Sequence, residues 1–363
     1  MSWSDAAWLA AAGARIHPQA VLYVATDGSD RNPGTRAAPF ATIARAGQAA
    51  RPGTAIYVGP GQYAGGFRTA ASGTEWARIS YVSSVRWGAR IVPPAISTST
   101  IAWDNRGSYV DIIGFQVDGS SLRQGTPWTN GIYYGGSYGL VRNNWVHHLG
   151  ASAHCSSAGG AAIGIDGYYR GIHSQVISNL VHDIGPPGCR FAHGIYVSTT
   201  GSVVNNVVYR VAGAAIHLWH DARQVLVAHN SIAAASTGIV VGSGDSYFNR
   251  NGNDYTLVAN NIVYDTADGI AEQGATGANN RYQNNLVFLA ARRAWRLKAG
   301  TVVQHAVRED PRFVRYGRED TPDLHLRPDS PAVGAASAGG PPHDFDGKPR
   351  PSGTRYDIGA FQR

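Results

Sequence analysis

The chain has 363 residues, of which 45 are glycine and only 15% are charged, with a formal net charge of +7. That composition leaves little material for long amphipathic helices and favours short strands joined by tight turns. No run of about 18 apolar residues occurs, which excludes a membrane-spanning helix. The positive balance rests on arginine, because Lys298 and Lys348 are the only lysines. Arginine forks suit carboxylate and sulfate groups, so an anionic substrate fits the charge. Nucleic acid fits it poorly: there is no Lys/Arg run, no zinc-ligand spacing and no RNA-binding signature.

In chain order, Met1 to Gly13 lacks the basic leader of a signal peptide and reads as an amphipathic start. Val21 to Val24 reads as a strand followed by a Gly/Asp/Asn/Pro turn, Phe40 to Ala50 as a short helix, and Thr54 to Val58 as a first coil strand. A helix laid there covers the open end of a solenoid and blunts edge pairing. From residue 130 onward one pattern recurs. A small residue and Ile open a short strand, at Gly131-Ile132, Ala162-Ile163, Gly194-Ile195, Ala215-Ile216, Gly238-Ile239 and Gly269-Ile270. After a turn, a second strand ends in Asn and an aliphatic pair, at Asn144, Asn179, Asn206, Asn230, Asn261 and Asn285.

Those asparagines advance by 35, 27, 24, 31 and 24 residues. A coil of about two dozen residues, lengthened by loops, has the period of a parallel β-helix. Stacked Ile and Val fill a narrow core, and the asparagine amides bond to the coils above and below. The asparagines are therefore expected to be structural. A propeller would need four strands per unit, which the coils lack. The expected fold is one all-β domain, a single-stranded right-handed parallel β-helix. Its N-terminal cap and first coil span residues 1–60, its coils 61–290, and its closing segment 291–363.

Both ends carry a more specific signal. Tyr23 to Asp30, Pro39 to Ile43 and Tyr57 to Tyr63 resemble the entrance of bacterial right-handed β-helix proteins, a group that includes family 9 pectate lyases. Ser330 to Val333, Asp344 to Pro351 and Asp357 to Phe361 resemble the closing segment of the same group. The resemblance implies the fold and, through it, action on a carbohydrate polymer. It does not carry over the lysine base or the calcium-holding aspartates of those lyases, because neither lysine falls in the central coils and no aspartate cluster lies there.

Alternation along each coil strand predicts one outward column of Tyr133, Gly164, Tyr196, His217, Val240 and Ala271. Beside its centre lie His193, then Trp219, His220 and Asp221, with Asp166, Tyr168 and Arg170 following the preceding coil's strand. Flat aromatic faces with polar tips suit sugar rings, so this patch is the expected polysaccharide- or oligosaccharide-binding groove. Two inserts, His148 to Gly160 and Gly185 to Ala192, are placed to wall it and bring His154 and Arg190 to its edge. Cys155 and Cys189 fall in these adjacent inserts, where a disulfide is geometrically reasonable and two unpaired thiols are the alternative. A bond would argue for an oxidising compartment, hence a secreted or periplasmic protein.

A lyase or epimerase acting on a uronate needs a base, an acid and a group to neutralise the carboxylate. His193, Tyr196 or His217 would serve as base and acid, with Arg170 or Arg190 on the carboxylate. A hydrolase or intramolecular glycosyl transferase would instead need paired carboxylates, for which Asp166 and Asp221 are the best placed. A glycan-binding β-helix without catalysis would show the aromatic track alone. A second outward column, His147, His182, Tyr209, Tyr264 and Phe288, reads as a solvated or packing stripe. Asp245 to Asp254 alternates oxygen ligands and could bind calcium, although it lacks the closing Glu of an EF-hand loop. Nothing in the sequence marks a cofactor or an oligomeric state.

Overall fold

The computed structural model describes residues 8–11, 16–298, 300–337, 340–351 and 356–363. Most of the stretch from Met1 to Gly13 thus lies outside the described residues. The chain winds into a right-handed parallel β-helix with three faces. Face one is an 11-stranded sheet that begins with Ala20–Val24 and Thr54–Val58 and ends at Val303–Gln304. Face two runs from Gly61–Ala64 through Trp145–Leu149 and Leu180–Ile184. Face three runs from Phe67–Thr69 through Ile101–Asn105, Asn130–Tyr134, Gly160–Ile165 and Ala192–Val197. In the last coils the strands Val207–Leu218, Ser231–Ser243, Ile262–Gly274 and Leu286–Arg296 pass from face two into face three without a break.

The repeat explains the register. Ile132, Ile163, Ile195, Ile216, Ile239 and Ile270 are successive partners on face three, and each is fully buried. The asparagine column forms one continuous ladder at the corner between faces one and two. Each Oδ1 accepts the backbone N–H of the asparagine one coil earlier, at 2.9–3.0 Å from Asn144 to Asn285. Each Nδ2 donates to a buried carbonyl, as Asn206 does to Val176 at 2.9 Å. The ladder starts where Asn144 accepts from Phe115. Without it, a row of buried turn groups would lack partners.

Two columns of left-handed residues turn each coil. Asn143, Ser178, Asn205, His229, Asn260 and Asn284 precede the ladder with φ between +51° and +59°. His148, Asp183, Arg210, Ala234, Asp265 and Leu289 sit within face two with φ between +50° and +57°. The second column is a one-residue bulge in each of these six coils. It turns two consecutive side chains outward before the next residue, such as Leu149 or Ile184, re-enters the core.

The helix Ile43–Ala49 covers the entrance with Ile43 and Ala46 buried, and Thr42 caps it by accepting from Arg45 N–H at 3.1 Å. The closing segment lies along the outside of face two. Phe313, Leu324, Ile358 and Phe361 pack there on Val207, Tyr209, Ile262, Tyr264 and Leu286. Tyr209 and Tyr264 are therefore packing surface. Cys155 and Cys189 are bonded, with Cα atoms 5.5 Å apart. No helix among the described residues is long and apolar enough to cross a membrane.

Candidate functional site

Face three carries the expected column in register. Tyr133 pairs with Gly164, Gly164 with Tyr196, Tyr196 with His217, His217 with Val240 and Val240 with Ala271. Asp104 precedes Tyr133 in the same column. A Cβ placed on Gly164 would meet only Tyr133 Cδ2, at 4.0 Å, so the floor opens there between two tyrosines.

His193 and His217 form a dyad. His193 is buried; its Nδ1 accepts from Ala214 N–H at 3.3 Å and its Nε2 lies 3.0 Å from His217 Nδ1. A backbone N–H only donates, so in the neutral pair His193 carries its proton on Nε2 and gives it to His217 Nδ1. His217 then carries its own proton on Nε2, a buried atom with no protein partner. Burial pushes His193 down to about 3 and His217 well below its ordinary value. The dyad is thus neutral, and His217 offers a hydrogen-bond donor rather than a lone pair.

His220 has the complementary state. Its Nδ1 lies 2.9 Å from the carbonyl oxygen of Asp245, which can only accept, so the proton sits on Nδ1 and Nε2 keeps its lone pair. The ring stacks on Tyr247 at 4.2 Å and meets Tyr196 edge-on at 5.9 Å. Tyr196 also meets His217 edge-on at 5.2 Å, and Trp219 lies 5.5 Å from His217. Four rings, His217, Tyr196, His220 and Tyr247, therefore form one contiguous cluster.

Asp166 is the nearby carboxylate. Its Oδ1 accepts from Ser198 Oγ–H and Tyr168 N–H, both at 2.8 Å. Tyr133, Tyr196 and Tyr247 are all raised above the ordinary phenol range, first by burial and then with the Asp166 charge among the causes. All three are phenols at neutral pH. Asp221 is differently engaged: its two oxygens accept Phe248 N–H at 2.8 Å and Asn249 N–H at 3.1 Å. It fixes the loop that carries Tyr247.

Two walls rise beside the column. On one, Tyr168 meets Tyr247 at 5.4 Å, and the Arg170 guanidinium lies 4.1 Å over Phe248. On the other, exposed Arg190 sits over Phe191 at 4.8 Å, and His154 lines a small recess with Cys189 beside the disulfide. Sequence reasoning missed Tyr247 and Arg106. Arg106 pairs with Asp104 and lies 4.6 Å over the Tyr133 ring and 3.7 Å over Tyr169. The small-residue-plus-Ile repeat starts only at Gly131, so the coil holding Arg106 gave no signal.

In the segment from Asp245 to Asp254, Asp254 accepts from Asn279 N–H and Nδ2–H at 2.8 and 2.9 Å, and Asn249 Oδ1 accepts from Asn251 N–H. Among the described residues, three His, Cys, Asp or Glu ligand atoms converge at two overlapping places, both on face two.

The family described as "Protein of unknown function (DUF1565)" matches residues 26–68, the entrance of the solenoid. No curated protein matches the chain. Among solved structures, pectate lyase Pel9A is similar at TM-score 0.59 and 15% identity, over 96% of this chain and 97% of that one. XylC, in a complex with xylose, is similar at 0.56 and 13%, over 80% and 70%. The A-module of mannuronan C-5 epimerase AlgE4 from Azotobacter vinelandii is similar at 0.51 and 16%, over 78% and 74%. At these identities the likeness establishes the parallel β-helix fold.

Proposed function

We propose that the protein is a polysaccharide lyase that cleaves an acidic, uronate-containing glycan by β-elimination in the face-three groove. The reading rests on one observation: a histidine with an available lone pair packs against a protonated tyrosine in one ring cluster on face three. His220 Nε2 takes the proton next to the uronate carboxylate. The electron pair left behind forms the C=C bond as the glycosidic C–O bond at the β-carbon breaks. The Tyr196 hydroxyl gives its proton to the departing oxygen, and Arg170 pairs with the carboxylate, whose charge grows in the transition state. Arg170 and Arg190 draw the anionic polymer in, and Tyr133 and Trp219 supply ring faces for flanking sugars. A pectate lyase and an epimerase on the same fold support this reading, since both chemistries begin with that proton. The disulfide supports work in an oxidising compartment outside the cytoplasm.

The test follows unsaturated ends and reducing ends in parallel on uronate-containing and neutral polysaccharides. Both signals should grow together on a polyuronate. Reducing ends without unsaturation would replace elimination by hydrolysis and move the chemistry to Asp166.

A further inference from the structure

The bulge in face two brings together side chains that the groove does not use. His147-His148 and His182-Asp183 are successive doublets of the same two columns, and Asp118 pairs with His147 from the coil before. His147 Nδ1 and His148 Nδ1 lie 2.6 Å apart, and Asp118 Oδ1 is 3.6 Å from His147 Nδ1. All three ligand atoms fall within 4.8 Å of one another. The far side of each imidazole also has a partner. His147 Nε2 is 2.9 Å from the Gln116 amide nitrogen, and His148 Nε2 is 3.7 Å from Asp183 Oδ2. His182 is spent: its Nε2 accepts from Trp145 Nε1–H at 2.8 Å, so its Nδ1 proton goes to Asp183 at 2.5 Å.

We infer that Asp118, His147 and His148 form a site for a divalent transition-metal ion of the zinc type, on face two, which adjoins the face that carries the Tyr133–Tyr196–His217 column. Two imidazoles and one carboxylate are the donor set such ions take, and carboxylate-only ions such as calcium do not favour it. Turning the Gln116 amide over would bring its oxygen to His147 Nε2, hold that ring as the Nε2–H tautomer and free Nδ1; the Asp183 carboxylate stands behind His148 Nε2. A carboxylate or amide behind each ligating histidine is the usual support of a metal site. Metal–nitrogen bonds of about 2.0–2.1 Å separate neighbouring ligand atoms by about 3.3 Å. The His147–His148 gap must widen to that, and the His148 side chain, about half exposed, has room to turn. Arg90 holds the other Asp118 oxygen, and Arg210 holds Asp183 at 2.6 Å. These charges set the affinity below that of closed structural zinc sites. His148's exposure leaves a fourth position open to water.

The test uses the full chain, dialysed against a chelator and titrated with Co(II) by visible absorption and with Zn(II) by calorimetry. One ion per chain is expected, with the absorption of a low-coordinate imidazole–carboxylate complex. His148→Ala, at an exposed position that leaves the fold intact, should abolish that signal, and Asp183→Asn should weaken binding about 10- to 100-fold. His305→Ala, at an exposed histidine elsewhere, should leave it unchanged. Absence of stoichiometric binding to the wild type would overturn the assignment. So would equal binding by the wild type and His148→Ala.

Discussion

At the scale of single residues, hydrogen-bond direction decides chemistry that identity alone leaves open. His193, His217 and His220 are the same residue type within 28 positions, yet a backbone N–H fixes the dyad as a donor while a backbone carbonyl leaves His220 a lone pair. Alternation from each coil's Ile placed Tyr196 and His217 correctly on the floor. It could not reveal tautomers, because those depend on backbone groups of Ala214, at a register shift inside its strand, and of Asp245, in a loop. Gly164 offers a test of the floor. Gly164→Ala adds a Cβ that meets only Tyr133 Cδ2, at 4.0 Å, so the melting midpoint should stay close to that of the wild type. The methyl group would narrow the gap between Tyr133 and Tyr196 and raise KM about tenfold, the equivalent of about 1.4 kcal/mol of lost contact. Unchanged KM would mean that the sugar does not cross that part of the floor.

At the scale of elements, the inserts and the closing segment make separable contributions. The Cys155–Cys189 bond closes a loop of 34 residues. By chain entropy its loss through Cys155→Ser costs about 3–4 kcal/mol, measurable by denaturant unfolding. Cysteine placement next to adjacent coil strands made this bond legible from the sequence. The face-two bulges were not legible, since strict alternation sends neighbouring residues to opposite sides. That is why His147-His148 read as one outward residue and not two. The closing segment is fastened by His325, which lies 2.6 Å from Asp323 and 2.7 Å from Asp346 and packs 4.0 Å from Phe361. The Asp346 bond, and then that of Asp323, raise it from 6.5 to about 9. The folded chain therefore holds this proton more tightly than the unfolded one. The resulting stability is complete below pH 6.5 and is lost as pH rises through about 9. Solvent exposure keeps the effect small. Thermal midpoints across that window should fall in the wild type relative to His325→Gln, and parallel curves would contradict the assignment.

At the scale of the whole molecule, the fold was legible because in-register stacking demands the same residue type coil after coil. The Ile and Asn columns are that demand written in sequence. The outward column's position followed from the same register, whereas Tyr247 reaches it from a loop of irregular length and Arg106 from a coil without the repeat. The closing segment was expected as the end of the solenoid, and its packing along face two depends on contacts such as Arg350 with Asn205, 145 residues apart. No local pattern encodes such a contact.

The account turns on His220 as the base in the face-three groove. The measurement that tests it most directly is the rate of unsaturated-end formation on a polyuronate by the wild type and His220→Ala side by side. The wild type should form these ends, and the variant should lose at least about 100-fold in kcat with KM little changed. A variant that turns over at the wild-type rate would contradict the account.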